Sequence, residues 1–85
     1  MRDGTTKRVW LHLLEQGGHH TPEEVSRALL EADSRKVGTI LSSLATGGSV
    51  KRFARPGHVH STYGVTLDCK VPFGVLMSEI AEVLQ

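Results

Sequence analysis

The chain has 85 residues, which leaves room for one small domain, because a chain this short buries only about 60% of the surface that it exposes when unfolded. A hydrophobic fraction of 39% and a charged fraction of 22% are typical of globular proteins and argue against the disordered and membrane classes. No apolar stretch approaches the ~20 residues of a membrane span, and the only cysteine, Cys69, has no partner for an internal disulfide. We therefore expect a cytoplasmic protein.

The charges are unevenly distributed, although the formal net charge is only +1. No acidic residue occurs from Ser34 to Leu67, whereas acids are frequent on both sides of this stretch. The stretch contains Arg35, Lys36, Lys51, Arg52 and Arg55, together with His58 and His60. This pattern predicts a basic face on a nearly neutral protein, which suits a polyanionic partner.

A first helix is predicted after Thr5, because apolar residues recur at helical spacing until Gly17-Gly18. These residues are Val9, Trp10, Leu13 and Leu14. Leu11 projects from the opposite side of that helix. It is therefore either a surface leucine or a contact with another chain.

A second helix is predicted to start at Thr21, with Pro22 at the first helical position and Glu24 completing a capping box. It should end near Glu31 or Ala32, and its buried residues should be Val25, Ala28 and Leu29. A third helix, capped by Asp33 or Ser34, should bury Val37, Ile40, Leu41 and Leu44. A connection of only two or three residues would make these helices a helix-turn-helix unit.

Gly47-Gly48 should end the third helix through the positive φ that glycine allows. Two short strands should follow, over residues 49–53 and 62–67, with Tyr63, Val65 and Leu67 alternating toward the core. The turn-rich loop between them predicts a hairpin with a basic tip. After Pro72, a final amphipathic helix is predicted over Val75 to Gln85, and its clustered apolar residues are Leu76, Met77, Ile80, Val83 and Leu84.

This order of elements resembles the winged helix-turn-helix superfamily over residues 5–70. The stretch from Val37 to Arg52 carries the resemblance, since apolar residues at Val37, Leu41 and Leu44 precede a glycine turn and the strand that begins the wing. The resemblance implies an α+β winged helix-turn-helix domain over residues 1–85, with a three-helix core, a β-hairpin wing and an additional C-terminal helix over residues 72–85. It also implies a small regulator of bacterial, phage or plasmid type.

The third helix is predicted to contact base edges in the major groove. Its polar side comprises Ser34, Arg35, Lys36, Thr39, Ser42, Ser43 and Thr46. Arg35 is able to bind guanine through two hydrogen bonds. The alternative is a solvated polar face, which nearly every surface helix has.

The basic residues of the hairpin are predicted to contact phosphates or the minor groove. They are Lys51, Arg52, Arg55, His58 and His60. Arg55 at the loop tip is the best placed, because strand alternation turns Lys51 and Arg52 opposite ways. The alternative is a charged edge strand that prevents aggregation. The start of the second helix at Thr21 either meets a phosphate or is simply capped.

Neither a metal site nor a catalytic site is predicted. The pairs His19-His20 and His58-x-His60, with Cys69, do not match the spacing of a closed zinc site. No nucleophile elbow, phosphate loop or metalloprotease signature occurs.

The predicted function is a sequence-specific, duplex-DNA-binding transcription regulator without catalysis or cofactor. Homodimerisation is expected because one small domain has a small footprint and the C-terminal helix carries many apolar side chains. Two alternatives remain open: a winged-helix protein-interaction module of a larger assembly, and a nonspecific accessory or architectural DNA binder.

Overall fold

The computed structural model describes residues 4–30, 33–54, 56–57 and 61–85. Over these ranges the elements are α1 (Thr5–Gln16), α2 (Pro22–Ala28), α3 (Ser34–Thr46), β1 (Lys51–Phe53), β2 (Thr62–Gly64) and α4 (Met77–Val83). The prediction of an α+β chain with three helices, a hairpin and a final helix is confirmed. Its layout is compatible with that of a winged helix.

One hydrophobic core joins the first three helices to the hairpin. Its largest fully buried side chains are Val9, Leu13, Val25, Val37 and Leu41. Trp10, Leu44, Val50 and Tyr63 complete the buried cluster. The indole N–H of Trp10 donates a hydrogen bond of 2.8 Å to the buried carbonyl of Ser49. This bond ties α1 to the turn that follows α3.

Leu11 is half-buried and packs against the core, so it does not project freely into solvent, and a contact with another chain stays a prediction. The reason is that α1 contacts α2, α3, α4 and β2, which cover the helix on more than one side.

Helix α2 begins as predicted. The Thr21 hydroxyl accepts a hydrogen bond from the Glu24 N–H, and the Glu24 carboxylate accepts one from the Thr21 N–H. The helix ends at Ala28 rather than near residues 31–32, because Leu30 adopts a positive φ of 56°. Ala28 is exposed, contrary to prediction, and the free carbonyl of Leu29 accepts a hydrogen bond from the Arg8 guanidinium.

The connection between α2 and α3 covers residues 29–33 and is longer than predicted. Asp33 caps α3, because its carboxylate accepts hydrogen bonds from the N–H groups of Arg35 and Lys36. At the other end, Gly47 has a negative φ of −79°, and it is Gly48 that adopts the positive φ, at 83°.

Strands β1 and β2 form an antiparallel hairpin in which Arg52 faces Tyr63. On its other edge, β2 pairs with the segment before α2, since His20 and Tyr63 exchange two backbone hydrogen bonds of 2.9 and 2.8 Å. All three residues of β2 are therefore buried. At Gly64 a Cβ would lie 3.2 Å from the carbonyl carbon of Gly18, so this close approach requires glycine.

The predicted alternation of Tyr63, Val65 and Leu67 is wrong, because β2 ends at Gly64. Val65 is half-buried, whereas Leu67 is fully exposed.

Helix α4 is shorter than the predicted span of residues 75–85 and buries none of its residues. Ile80 and Val83 are half-buried, and Ile80 packs against the core. Lys7 of α1 and Glu79 of α4 form an ion pair of 3.0 Å. Among the described residues, no helix has the length and apolar character needed to cross a membrane.

Candidate nucleic-acid interface

The polar side of α3 lies opposite the buried stripe formed by Val37, Leu41 and Leu44. We call seven residues the α3 face: Ser34, Arg35, Lys36, Thr39, Ser42, Ser43 and Thr46. Ser34 is half-buried and the other six are exposed. The structure thus places six of the seven predicted residues on one exposed side of the helix, whereas Ser34 lies beside the buried stripe.

The side chains of the α3 face differ in how much hydrogen-bonding capacity is left for a ligand. The Thr39 hydroxyl donates to the Arg35 carbonyl and the Thr46 hydroxyl donates to the Ser42 carbonyl, each over 3.0 Å. Both threonine oxygens can still accept a hydrogen bond. The guanidinium of Arg35 can only donate.

Charge changes sign at the N-terminal end of the α3 face. Asp33 places an exposed carboxylate at the helix cap, and the cations Arg35 and Lys36 follow directly. No acidic residue lies between Ser34 and Leu67. A ligand on the α3 face therefore meets positive or uncharged side chains, with Asp33 as the adjacent exception.

The two described cations of the hairpin, Lys51 and Arg52, are both exposed on the edge strand β1. Arg52 donates to the Ser61 hydroxyl over 3.3 Å, and its guanidinium carbon lies 6.0 Å from the centroid of the Tyr63 ring. These contacts hold Arg52 along the hairpin. The predicted sites Arg55, His58 and His60 lie outside the described residues.

Lys51 lies within electrostatic range of Asp68. The pKa of the Asp68 carboxyl is lowered, first by a hydrogen bond from the Thr66 hydroxyl, then by its own backbone N–H, and then by the Lys51 charge. Asp68 thus offsets part of the positive charge of Lys51. Within this hairpin, Arg52 is the better anchor for a phosphate.

Two of the histidines have structural partners. Nδ1 of His19 and the Thr62 hydroxyl share a hydrogen bond of 2.7 Å, the Thr62 hydroxyl lies 3.4 Å from the Phe53 carbonyl oxygen, and the His19 ring lies 4.7 Å from that of Phe53. Nε2 of His20 donates to the Gly17 carbonyl over 3.0 Å. In the part of the chain that the structure describes, no three histidine, cysteine or acidic side chains form a group able to hold a metal ion.

The sequence gives no sign that two histidines lie close enough to interact electrostatically. The pKa of His12 is lowered, first by burial and then by the nearby His20, while Glu15 acts in the opposite direction. No spacing rule links residues 12 and 20, because one lies on α1 and the other on the segment that pairs with β2. Only the observation that His12 lies between buried apolar neighbours on a helix could have indicated its burial.

Several large apolar side chains are exposed after β2. We call six of them the C-terminal apolar residues: Leu67, Val71, Phe73, Leu76, Met77 and Leu84. Leu76, Met77 and Leu84 belong to the apolar cluster that the sequence predicted, whereas Leu67 was predicted to lie in a strand and nothing was predicted for Val71 or Phe73. Leu67 and Phe73 are essentially fully exposed, at 108% and 97%.

These elements define a small α+β protein with a two-stranded hairpin and an exposed, polar third helix. No protein-family model, no curated protein and no solved structure matches the chain.

Proposed function

We propose that this protein is a non-catalytic, sequence-specific transcription regulator of the cytoplasmic nucleoid that binds duplex DNA, with α3 in the major groove. The observation that carries the proposal is the α3 face, an exposed surface without acidic residues on a helix whose other side is fully buried. A helix of about 10–12 Å diameter fits a major groove about 12 Å wide.

The hairpin supports the same arrangement. Arg52 on β1 supplies an exposed cation, and the sequence places Arg55, His58 and His60 at the tip. Cations at such a wing contact phosphates, which increases affinity for all sequences alike. In this proposal the α3 face selects the sequence and the hairpin anchors the protein to the backbone.

The proposal includes a homodimer formed through the C-terminal apolar residues. These exposed side chains offer apolar surface for a second copy to bury. A two-fold dimer reads a palindrome with half-sites about one helical turn apart. Analytical ultracentrifugation should detect a dimer at micromolar concentration, alone or on DNA. Phe73→Ser should reduce that dimer, and an all-monomer result under both conditions contradicts it.

The decisive test of DNA binding is fluorescence anisotropy with a random-sequence duplex across a salt series. Binding through phosphates should weaken as the salt concentration rises. A plot of the logarithm of the association constant against the logarithm of the salt concentration should have a slope of about −0.9 for each phosphate neutralised. Absence of binding at low salt would contradict the proposal. Random and selected duplexes then separate a regulator from a nonspecific architectural binder, because specific binding is roughly 10³-fold or more tighter.

The second candidate is an interaction module of a larger assembly. The C-terminal apolar residues favour it, because they suit a protein partner as well as a second copy. This candidate predicts negligible DNA affinity at physiological salt. The same salt series therefore distinguishes it from a regulator.

A further inference from the structure

We infer that Thr39 and Thr46 make α3 prefer A·T base pairs, an inference that rests on the proposed insertion of α3 into the major groove. Both threonines are exposed on the α3 face, and both use their hydroxyl hydrogen in the same way. Each hydroxyl donates to the carbonyl four residues earlier, over 3.0 Å. The same hydrogen bond thus occurs twice, at positions seven residues apart.

This hydrogen bond determines what each threonine offers to a ligand. The hydroxyl hydrogen is engaged within the helix, so the oxygen presents only acceptor capacity, and the methyl group completes the exposed surface. Serine at 42 or 43 has no β-branch and lacks this methyl group. Thr39 and Thr46 therefore combine a hydrogen-bond acceptor with a small apolar group.

An A·T pair matches both parts of that surface. In the major groove adenine presents its N6 amine, a donor, and thymine presents its C5 methyl group. The major-groove edge of guanine presents only the acceptors N7 and O6, which face the threonine oxygen unfavourably. Cytosine has an amine donor, but a G·C pair has no methyl group.

The spacing along α3 predicts the arrangement of the preferred bases. Thr39 and Thr46 lie on the same side, about 10 Å apart at a helical rise of 1.5 Å per residue. That distance corresponds to roughly three base-pair steps of 3.4 Å. Arg35 lies one helical turn before Thr39, so a guanine read by Arg35 should precede the first A·T pair by about two steps.

The experiment begins with a selection from a random duplex library by the wild-type protein and by Thr39→Ala. The base-pair position whose preference disappears in Thr39→Ala is the one that Thr39 reads, and we expect an A·T pair there. A G·C pair at that position, or no position that changes, overturns the inference. A library that yields no consensus contradicts the proposed function itself, before Thr39 is considered.

Modified bases at the identified position then test the two contacts separately. Replacing thymine by deoxyuridine removes the methyl group, and replacing adenine by purine removes the N6 amine. Each replacement should lower wild-type affinity about three- to tenfold, in line with one methyl contact or one hydrogen bond. The DNA affinity of Thr39→Ser, which lacks the methyl group, should not change when thymine is replaced by deoxyuridine. The affinity of Thr39→Val, which lacks the hydroxyl oxygen, should not change when adenine is replaced by purine.

Two results would overturn this assignment of contacts. One is equal sensitivity of the wild type, Thr39→Ser and Thr39→Val to both replacements. The other is a wild-type protein that is insensitive to either replacement. Because Thr39 is exposed, circular dichroism should show that all variants keep the wild-type fold, and the same pair of variants at Thr46 repeats the test at the second position.

Discussion

The two ends of the molecule use their apolar residues in opposite ways. Every residue that the structure describes as buried lies between Thr5 and Gly64, whereas residues 65–85 contain none. Apart from Leu30, the large apolar side chains that are exposed all lie between Leu67 and Leu84. The first region contains the buried core, whereas the second contributes only partly buried side chains to it, namely Val65, Val75 and Ile80, and leaves the C-terminal apolar residues exposed.

The helices of the two regions differ in the same way. Each of α1, α2 and α3 buries at least two residues. In the second region α4 has no buried residue, and it is attached by the packing of Ile80 against the core and by the ion pair between Lys7 and Glu79. In the proposed function, the first region supports the α3 face and the second region is available to a partner.

The largest expected effect is on stability. Leu41→Ala in the core should lower the free energy of unfolding by about 2–5 kcal/mol, because it removes a fully buried side chain and leaves a cavity. The matched variant Leu67→Ala in the exposed region should change it by less than about 0.5 kcal/mol. Urea unfolding followed by circular dichroism measures both. Similar losses for the two variants would mean that the regions do not differ.

The next effect is on DNA affinity. Arg35→Ala should weaken binding to the preferred site by about 1–3 kcal/mol and relax base choice at one position. Arg27→Ala removes the same charge from the exposed surface of α2 and should have a smaller effect that is equal for all sequences. Anisotropy with selected and random duplexes provides the comparison. Equal losses for Arg27 and Arg35 would assign only a general electrostatic role to Arg35.

A smaller effect is expected at the cap of α3. Asp33→Ala should lower the free energy of unfolding by about 1 kcal/mol, because two backbone N–H groups lose their acceptor. Asp33→Asn keeps an acceptor and should retain most of the stability, while the loss of a negative charge beside the α3 face should increase DNA affinity. Thermal unfolding and anisotropy test the two parts. Weaker DNA binding by a stably folded Asp33→Asn would place the DNA elsewhere.

His12 should make stability depend on pH. Its pKa is lowered in the folded protein, so below the unfolded-state value of about 6.5 the unfolded chain binds the proton more readily. The free energy of unfolding should therefore decrease as the pH falls below that value. His12→Gln should reduce this slope in urea titrations at several pH values. An unchanged slope would contradict the role of His12.

The smallest effect is expected where α4 meets α1. Lys7→Gln breaks an exposed ion pair and should leave the urea midpoint nearly unchanged. The pKa of Glu79 is lowered, first by the hydrogen bond that its carboxylate accepts from the Leu76 N–H and then by Lys7. The stability that the ionised Glu79 contributes is therefore lost only when the pH falls through that lowered value. If Lys7→Gln lowered the free energy of unfolding as much as Asp33→Ala, α4 would belong to the cooperative core.

Local signals in the sequence predicted the first region well. The capping box of α2 and the apolar spacing of α1 and α3 depend on residues only three or four positions apart, and such patterns can be read directly. The end of α2 could not be read, because it depends on the positive φ of Leu30, a conformation that leucine rarely adopts. The hydrogen bond from Arg8 to Leu29 joins residues on different helices and has no local signal.

The burial of β2 could not be predicted for a similar reason. Alternation assumes that one face of the strand meets water. The segment that pairs with β2 through His20 leaves no such face, because it also contacts Thr62 and Gly64. That pairing joins residues 43 positions apart. For the candidate site, the sequence identified the polar residues of α3, whereas the orientation of the Thr39 and Thr46 hydroxyls came only from the structure.

In the proposed function, the first region binds DNA and the second does not. A two-dimensional ¹H–¹⁵N NMR titration of the protein with a short random-sequence duplex tests this directly. We expect the largest amide shifts on α3 and β1 and only small shifts for residues 67–84. Shifts centred on residues 67–84, with α3 unaffected, would contradict it.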